Sequence, residues 1–246
     1  MPSADLLQPL TQLAGVAGAA DGARADADRL LGHRMLRRRS AEVSAESSLR
    51  GARASAALAG AAYPLAEVRT GGVDDPLVTG ALRVSAGLGP LVSTWRRAPL
   101  QVLARLHVLA AAGLAPDERL GRPTAAVGSR LTALAAVLTG PSGVPAVVVA
   151  AVVHGELLAL APFGTADGLV ARAAYRLTLV AFGLDPKGVS VPEVGHAELE
   201  DEYADALAGY RAGDAAGVAG WIRHCCAAVS LGAREGLAVC EALGRT

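Results

Sequence analysis

Residues 158–177 read LALAPFGTADGLVARAAYRL, and the class of the whole chain follows from how this stretch folds. An apolar helix arrives from the N-terminal side and meets Pro162, which cannot continue helical hydrogen bonding. Small residues up to Gly168 then make a loop, and a second helix beginning near Leu169 carries Arg172 and Arg176. Unpaired N–H groups at a helix start, together with the helix dipole, favour an anion. Gly164 and Gly168 supply backbone freedom and Arg172 a cation. Asp167 stands where a capping residue stands, and a carboxylate there satisfies the amides internally and repels a phosphate. The bare sequence therefore predicts a self-capped helix-loop-helix, with an anion site as the alternative. Phe163, one of only two phenylalanines in the chain, is expected to be buried as the anchor of the loop.

The rest of the chain reads the same way. Hydrophobic residues make up 52% of its 246 positions but aromatic residues only 3%. Alanine, the strongest helix former, supplies much of the difference, while the β-branched and aromatic residues that strands prefer are scarce. The predicted class is mostly α, with roughly eight helices around one core. Asp74 or Asp75 is placed to cap a helix with Pro76 in its first turn. Pro99 starts another helix, ended by Gly113, and a further one runs from about Ala126 to Leu138. Pro145 opens the long apolar helix that ends at Ala161. The pattern over Asp5–Ala20 suggests a weak first helix, and that over Asp21–Gly60 is helical with many charges. Leu30, Leu31, Met35 and Leu36 form its apolar stripe, and Arg34, Arg37, Arg38 and Arg39 a solvated, salt-bridged face. The stretch DPKGVSVPEVGH (185–196) reads as irregular, and two helices over 197–213 and 218–243 close the chain.

Charge and cysteine content narrow the function. The 23 basic and 23 acidic side chains cancel, which argues against non-specific nucleic-acid binding. Cys225, Cys226 and Cys240 are odd in number and crowded near the C-terminus, as for buried thiols in a reducing cytoplasm rather than a disulfide framework. His224 with these cysteines has no metal-ligand spacing, so no metal site or cofactor is expected. No signal sequence is legible, and the apolar stretch 144–160 is interrupted by His154, Gly155 and Glu156, which predicts a core helix and no membrane span. His107 and His154 are expected to be hydrogen-bonded core residues.

The opening stretch resembles the signature of Fic-domain proteins: His-Pro-Phe, any residue, Asp or Glu, Gly-Asn-Gly-Arg, two residues, Arg. Laid without gaps on residues 161–172, Pro162, Phe163, Gly168 and Arg172 agree. Ala161 stands at the histidine position and Thr165 at the acidic one. Ala166 and Asp167 replace Gly-Asn, and Leu169 replaces the first arginine. Three further stretches resemble family helices: LARLHVLAAAG (103–113), VVAAVVHGELLALAPF (148–163), and YADALAGYRAGD (203–214) with WIRHCCAAV (221–229). SAALAG (55–60) resembles the inhibitory motif, with Ala59 at its glutamate position.

The resemblance implies an all-α Fic-like helical core over residues 71–246 with an N-terminal helical extension over 1–70. It implies AMP transfer to a protein hydroxyl in the family, with the histidine as base and the acid as metal ligand. Alanine and threonine offer neither. The expectation is a catalytically degenerate bacterial protein, cytoplasmic, that binds or scaffolds an unidentified protein partner, a second copy of itself included. Residual nucleotide binding or nucleotidyl or phosphoryl transfer is the alternative. Gly164, Asp167, Gly168 and Arg172 are the vestigial nucleotide-binding positions. With Ala59 in place of the glutamate, Arg172 needs another partner, which the sequence does not name.

Overall fold

The computed structural model describes residues 5–245, and among them every regular element is helical. Eleven α-helices follow in order: α1 Val16–Leu31, α2 Ser40–Ala57, α3 Leu65–Thr70, α4 Pro76–Trp95, α5 Pro99–Ala111, α6 Gly128–Thr139, α7 Ala146–Leu160, α8 Asp167–Ala181, α9 Pro192–Glu198, α10 Glu200–Ala212 and α11 Ala215–Gly244. Short 3₁₀ turns fill some of the connections. Prolines mark the starts, as the sequence predicts: Pro76 with the Asp75 carboxylate accepting from the Leu77 and Val78 N–H groups, Pro99 in the first turn of α5, and Pro145 just before α7. A proline there gives up an N–H that has no helical partner anyway.

Helix α8 is the axis of the molecule. Every residue from Leu169 to Leu179 is buried, so the helix is enclosed on all sides, with α7, α4, α5 and α2 packed around it. Glycines let the shell close tightly. A Cβ on Gly155 would lie 2.7 Å from the Trp221 indole nitrogen, and one on Gly195 would run into the Ala228 carbonyl oxygen. The indole N–H of Trp221 donates to the Ala151 carbonyl at 2.7 Å, pinning α11 to α7.

Several sequence expectations are corrected. Asp5–Ala20 is not one helix: a 3₁₀ turn spans Gln8–Gln12, and Gly15, at φ 76°, redirects the chain into α1. Asp21–Gly60 is broken at Gly32, and Arg34–Arg37 form a 3₁₀ turn whose start accepts a hydrogen bond on the His33 imidazole. Leu30 and Leu36 are still buried together, in a small second cluster with Val43, Val189 and Val239, against which Leu31 and Met35 pack. The arginines do not sit on a salt-bridged helix face. Among the described residues, Arg39 is the one of the four that pairs with a carboxylate, that of Glu42. The supposedly irregular 185–196 contains the start of α9. The buried Asp185 carboxylate builds the turn before it, accepting from the Val189 and Ser190 N–H groups and the Ser190 hydroxyl.

Candidate functional site: the loop between α7 and α8

Helices α7 and α8 meet where the sequence places them, and residues 161–166 join them. Two of the turning positions are alanines with positive φ, Ala161 at 43° and Ala166 at 54°, beside Gly164 at 73°. Left-handed backbone costs a non-glycine residue about 1–2 kcal/mol. Ala166 therefore holds a conformation that a glycine would adopt freely. The surroundings enforce it: the Pro162 carbonyl accepts from the Thr124 N–H at 2.9 Å. Phe163 is 4% exposed, and its ring lies flat on the His107 imidazole, with centroids 4.2 Å apart and planes 5° apart. Phe163 is the expected anchor, and His107 of α5 is the surface it grips.

Asp167 does not cap α8. Ala166 in the left-handed region is the residue before the helix, no side chain caps the start, and Asp167 is the first helical residue. A side chain there points back toward the N-terminal side. Its carboxylate accordingly accepts from the Phe163 N–H across the loop at 2.9 Å and faces the Gly164 N–H as well. Burial pushes this carboxyl above the usual aspartate range, against the pull of those amides.

Gly168 and Arg172 come together one turn further on. A Cβ at Gly168 would lie 3.2 Å from the Arg172 guanidinium. Arg172 is buried and donates to Ser55 of α2, Nε to the hydroxyl at 2.9 Å and Nη2 to the carbonyl at 2.8 Å, and it also bonds the Tyr203 hydroxyl. Ala59 lies partly buried just beyond the end of the same helix, packed against the main core. The inhibitory-motif stretch and the signature arginine thus do meet, through Ser55. Leu169, at the first-arginine position, is 2% exposed and belongs to that core.

Below Arg172 the core turns polar. His154 of α7, His196 of α9 and His224 of α11 are buried among Tyr175, Tyr203 and Trp221. His154 Nε2 and the Tyr203 hydroxyl are 2.8 Å apart, and His196 Nδ1 and His224 Nε2 are 3.0 Å apart. Burial holds His154 and His196 well below the ordinary imidazole value and His224 down at about 4, while it pushes the Tyr203 hydroxyl up to about 12. His154 meets the sequence expectation of a bonded core residue, whereas the gathering around it had no local signal.

This cluster sets an acid limit on the fold. The folded state keeps the three imidazoles neutral, while the unfolded chain takes up protons from about pH 6.5 downward. The unfolded state then binds more protons, so stability falls as the pH drops from about 6.5 towards 4. With His224 at about 4 in the folded state, that residue alone removes roughly 3 kcal/mol by pH 4. Thermal midpoints measured across this interval should fall continuously. A flat profile down to pH 4 would mean that water reaches the imidazoles.

No known protein-family profile matches the chain, and no curated protein matches it in sequence. The fold does match solved structures. A Fic family protein from Desulfovibrio desulfuricans G20 superposes with a TM-score of 0.73 at 17% identity, over 89% of this chain and 74% of that one. Residues 134–508 of Fic-1 from C. elegans superpose with a TM-score of 0.74 at 17% identity, over 96% of this chain and 75% of that one. The chain has the all-α fold of Fic family proteins.

Proposed function

We propose that the chain is a catalytically degenerate Fic-fold protein that works in the bacterial cytoplasm by binding or scaffolding a protein partner. The observation that carries the reading is that the α7–α8 loop bonds to the protein itself: the Asp167 carboxylate accepts from the Phe163 N–H, and Ser55 accepts from Arg172. The remaining positions agree. Ala161 has no group to accept a hydroxyl proton, which removes a base contributing about 10²–10⁴-fold. Leu169 is core, not an arginine facing a ligand. The residues present do not fit a magnesium-bound nucleotide: Thr165 offers one neutral oxygen in place of a carboxylate, and the Asp167 carboxylate next to it is bonded to the loop itself. No helix among the described residues is long and apolar enough to cross a membrane, and Cys225, Cys226 and Cys240 are free thiols.

The test is incubation of the purified protein with labelled ATP and magnesium or manganese, alone and with cell extract, alongside recovery of partners from the native cell. The expected result is no transfer and no metal-dependent nucleotide binding, together with a stable, stoichiometric partner. Label incorporated by the unmodified protein and lost in Arg172→Lys would overturn the proposal in favour of residual transferase activity.

A further inference from the structure

The polar core below Arg172 contains hydrogen-bonding capacity that the fold does not use. His154 Nδ1 and His196 Nε2 are buried without a partner. A buried polar atom left unpaired is rare in native proteins and calls for a ligand or another physical reason. Here two such atoms belong to neighbouring rings, 4.9 Å apart between centroids. The thiol of Cys225, on α11, completes the group. His154, His196 and Cys225 bring one donor atom each to within 4.8 Å of one another, all three residues being buried. They come from α7, α11 and the short α9, so no sequence spacing announces them.

We propose that His154, His196 and Cys225 form a three-coordinate site for a single soft monovalent metal ion, Cu(I). Each imidazole has one nitrogen already hydrogen-bonded, His154 Nε2 to the Tyr203 hydroxyl and His196 Nδ1 to His224, which leaves His154 Nδ1 and His196 Nε2 to serve as the ligands. That arrangement, in which the second ring nitrogen is fixed by a hydrogen bond, sets the tautomer and ring orientation of metal-binding histidines. Donors sharing one ion at bonds of about 2.0–2.3 Å stand roughly 3.3–3.8 Å apart. Separations of up to 4.8 Å exceed that range by about 1 Å, a gap that side-chain movement closes as the ion binds.

Charge selects the ion. Arg172 is close enough to act on both His154 and His196 electrostatically, and Glu202 and Glu193 act on the outer members of the cluster, His224 and Tyr175. A divalent ion with one thiolate would leave a net positive charge beside a buried guanidinium, which is expensive. Cu(I) with one thiolate is neutral. Soft thiolate ligation favours Cu(I) over hard ions, and three donors without a fourth suit it better than zinc, which closes structural sites with four. As the copper–sulfur bond forms, the Cys225 S–H bond breaks and its proton passes to solvent. No electron is transferred. Binding should therefore weaken about tenfold for each unit of acidification. The site is separate from the α7–α8 loop and does not depend on the proposed loss of catalysis.

The experiment is an anaerobic titration of the reduced, full-length protein with Cu(I) against a colorimetric Cu(I) chelator. One equivalent per chain should be retained, the thermal midpoint should rise, and X-ray absorption should report one sulfur and two nitrogen ligands. Cys225→Ser and His196→Gln should lose retention at least a hundredfold, while Cys226→Ser and Cys240→Ser keep it. If Cys225→Ser fails to fold, the absorption spectrum of the unmodified protein decides between this ligand set and any other. No retention against the chelator overturns the proposal, as does retention unchanged in Cys225→Ser, a sulfur-only spectrum, or preferential loading with Zn²⁺; the first of these would leave a buried water as the partner of the two imidazoles.

Discussion

Replacing Glu193 with alanine is expected to lower folding stability by about 3–5 kcal/mol, the penalty for stripping one partner from a buried ion pair. Arg176 on α8 and Glu193 on α9 are 4% and 7% exposed and 3.2 Å apart. Arg176 also donates to the Gly188 carbonyl at 2.9 Å. Space for the pair is left by Gly51 on α2, where a Cβ would lie 2.5 Å from the guanidinium and 2.9 Å from the carboxylate. Glu193→Ala leaves the guanidinium buried with one carbonyl for company, and domains of this kind hold only about 5–15 kcal/mol in total. Urea denaturation followed by far-UV circular dichroism measures the effect. Pairing Arg176→Met with Glu193→Leu should recover much of the loss, because removing both charges also removes their desolvation penalty. A midpoint unchanged by Glu193→Ala would mean that the pair is solvated.

Phe163→Ala is expected to cost about 3–5 kcal/mol, the range for emptying a buried aromatic site. The substitution removes the ring stacked on His107 and with it the contact that holds two left-handed alanines in place on either side. What remains to keep the loop in shape is a set of hydrogen bonds: from Thr124 to the Pro162 carbonyl, from Gly164 to the Ala161 carbonyl, and from Phe163 and Gly164 to the Asp167 carboxylate. A shift in the thermal midpoint should therefore be accompanied by faster proteolytic cleavage between Ala161 and Gly168. A large loss of stability without local cleavage would assign the effect to the core alone.

How much of this was legible depended on whether the cause was local. The starts of α4, α5 and α7 were readable because Pro76, Pro99 and Pro145 act through their own backbone. Helix α9 was missed because PEVGHAE has a weak helical pattern of its own; it is held by Gly195 lying against the Ala228 carbonyl of α11. The arginines at 34–39 look like a helix face by spacing, yet the chain breaks at Gly32 so that Leu36 can reach the small cluster with Val189 and Val239. In the loop, the burial of Phe163 followed from composition. The direction of the Asp167 side chain did not, because it depends on Ala166 adopting a left-handed turn that alanine disfavours. Ser55 lies 117 residues from Arg172, and the three core histidines come from three separate helices. No local pattern encodes either meeting.

The Asp167 carboxylate also changes what any free anion meets at this loop. It is a tethered ligand, carried by the chain only four residues from the amide it occupies. Even flexible short tethers give effective concentrations in the millimolar range, and this one is fixed at the first turn of a buried helix. On the reading proposed above, a phosphate from solution would have to displace an anion that never diffuses away. Its apparent dissociation constant is its intrinsic one divided by the fraction of molecules in which the carboxylate has swung out. On that reading the loop is a receptor whose own competitor is covalently attached.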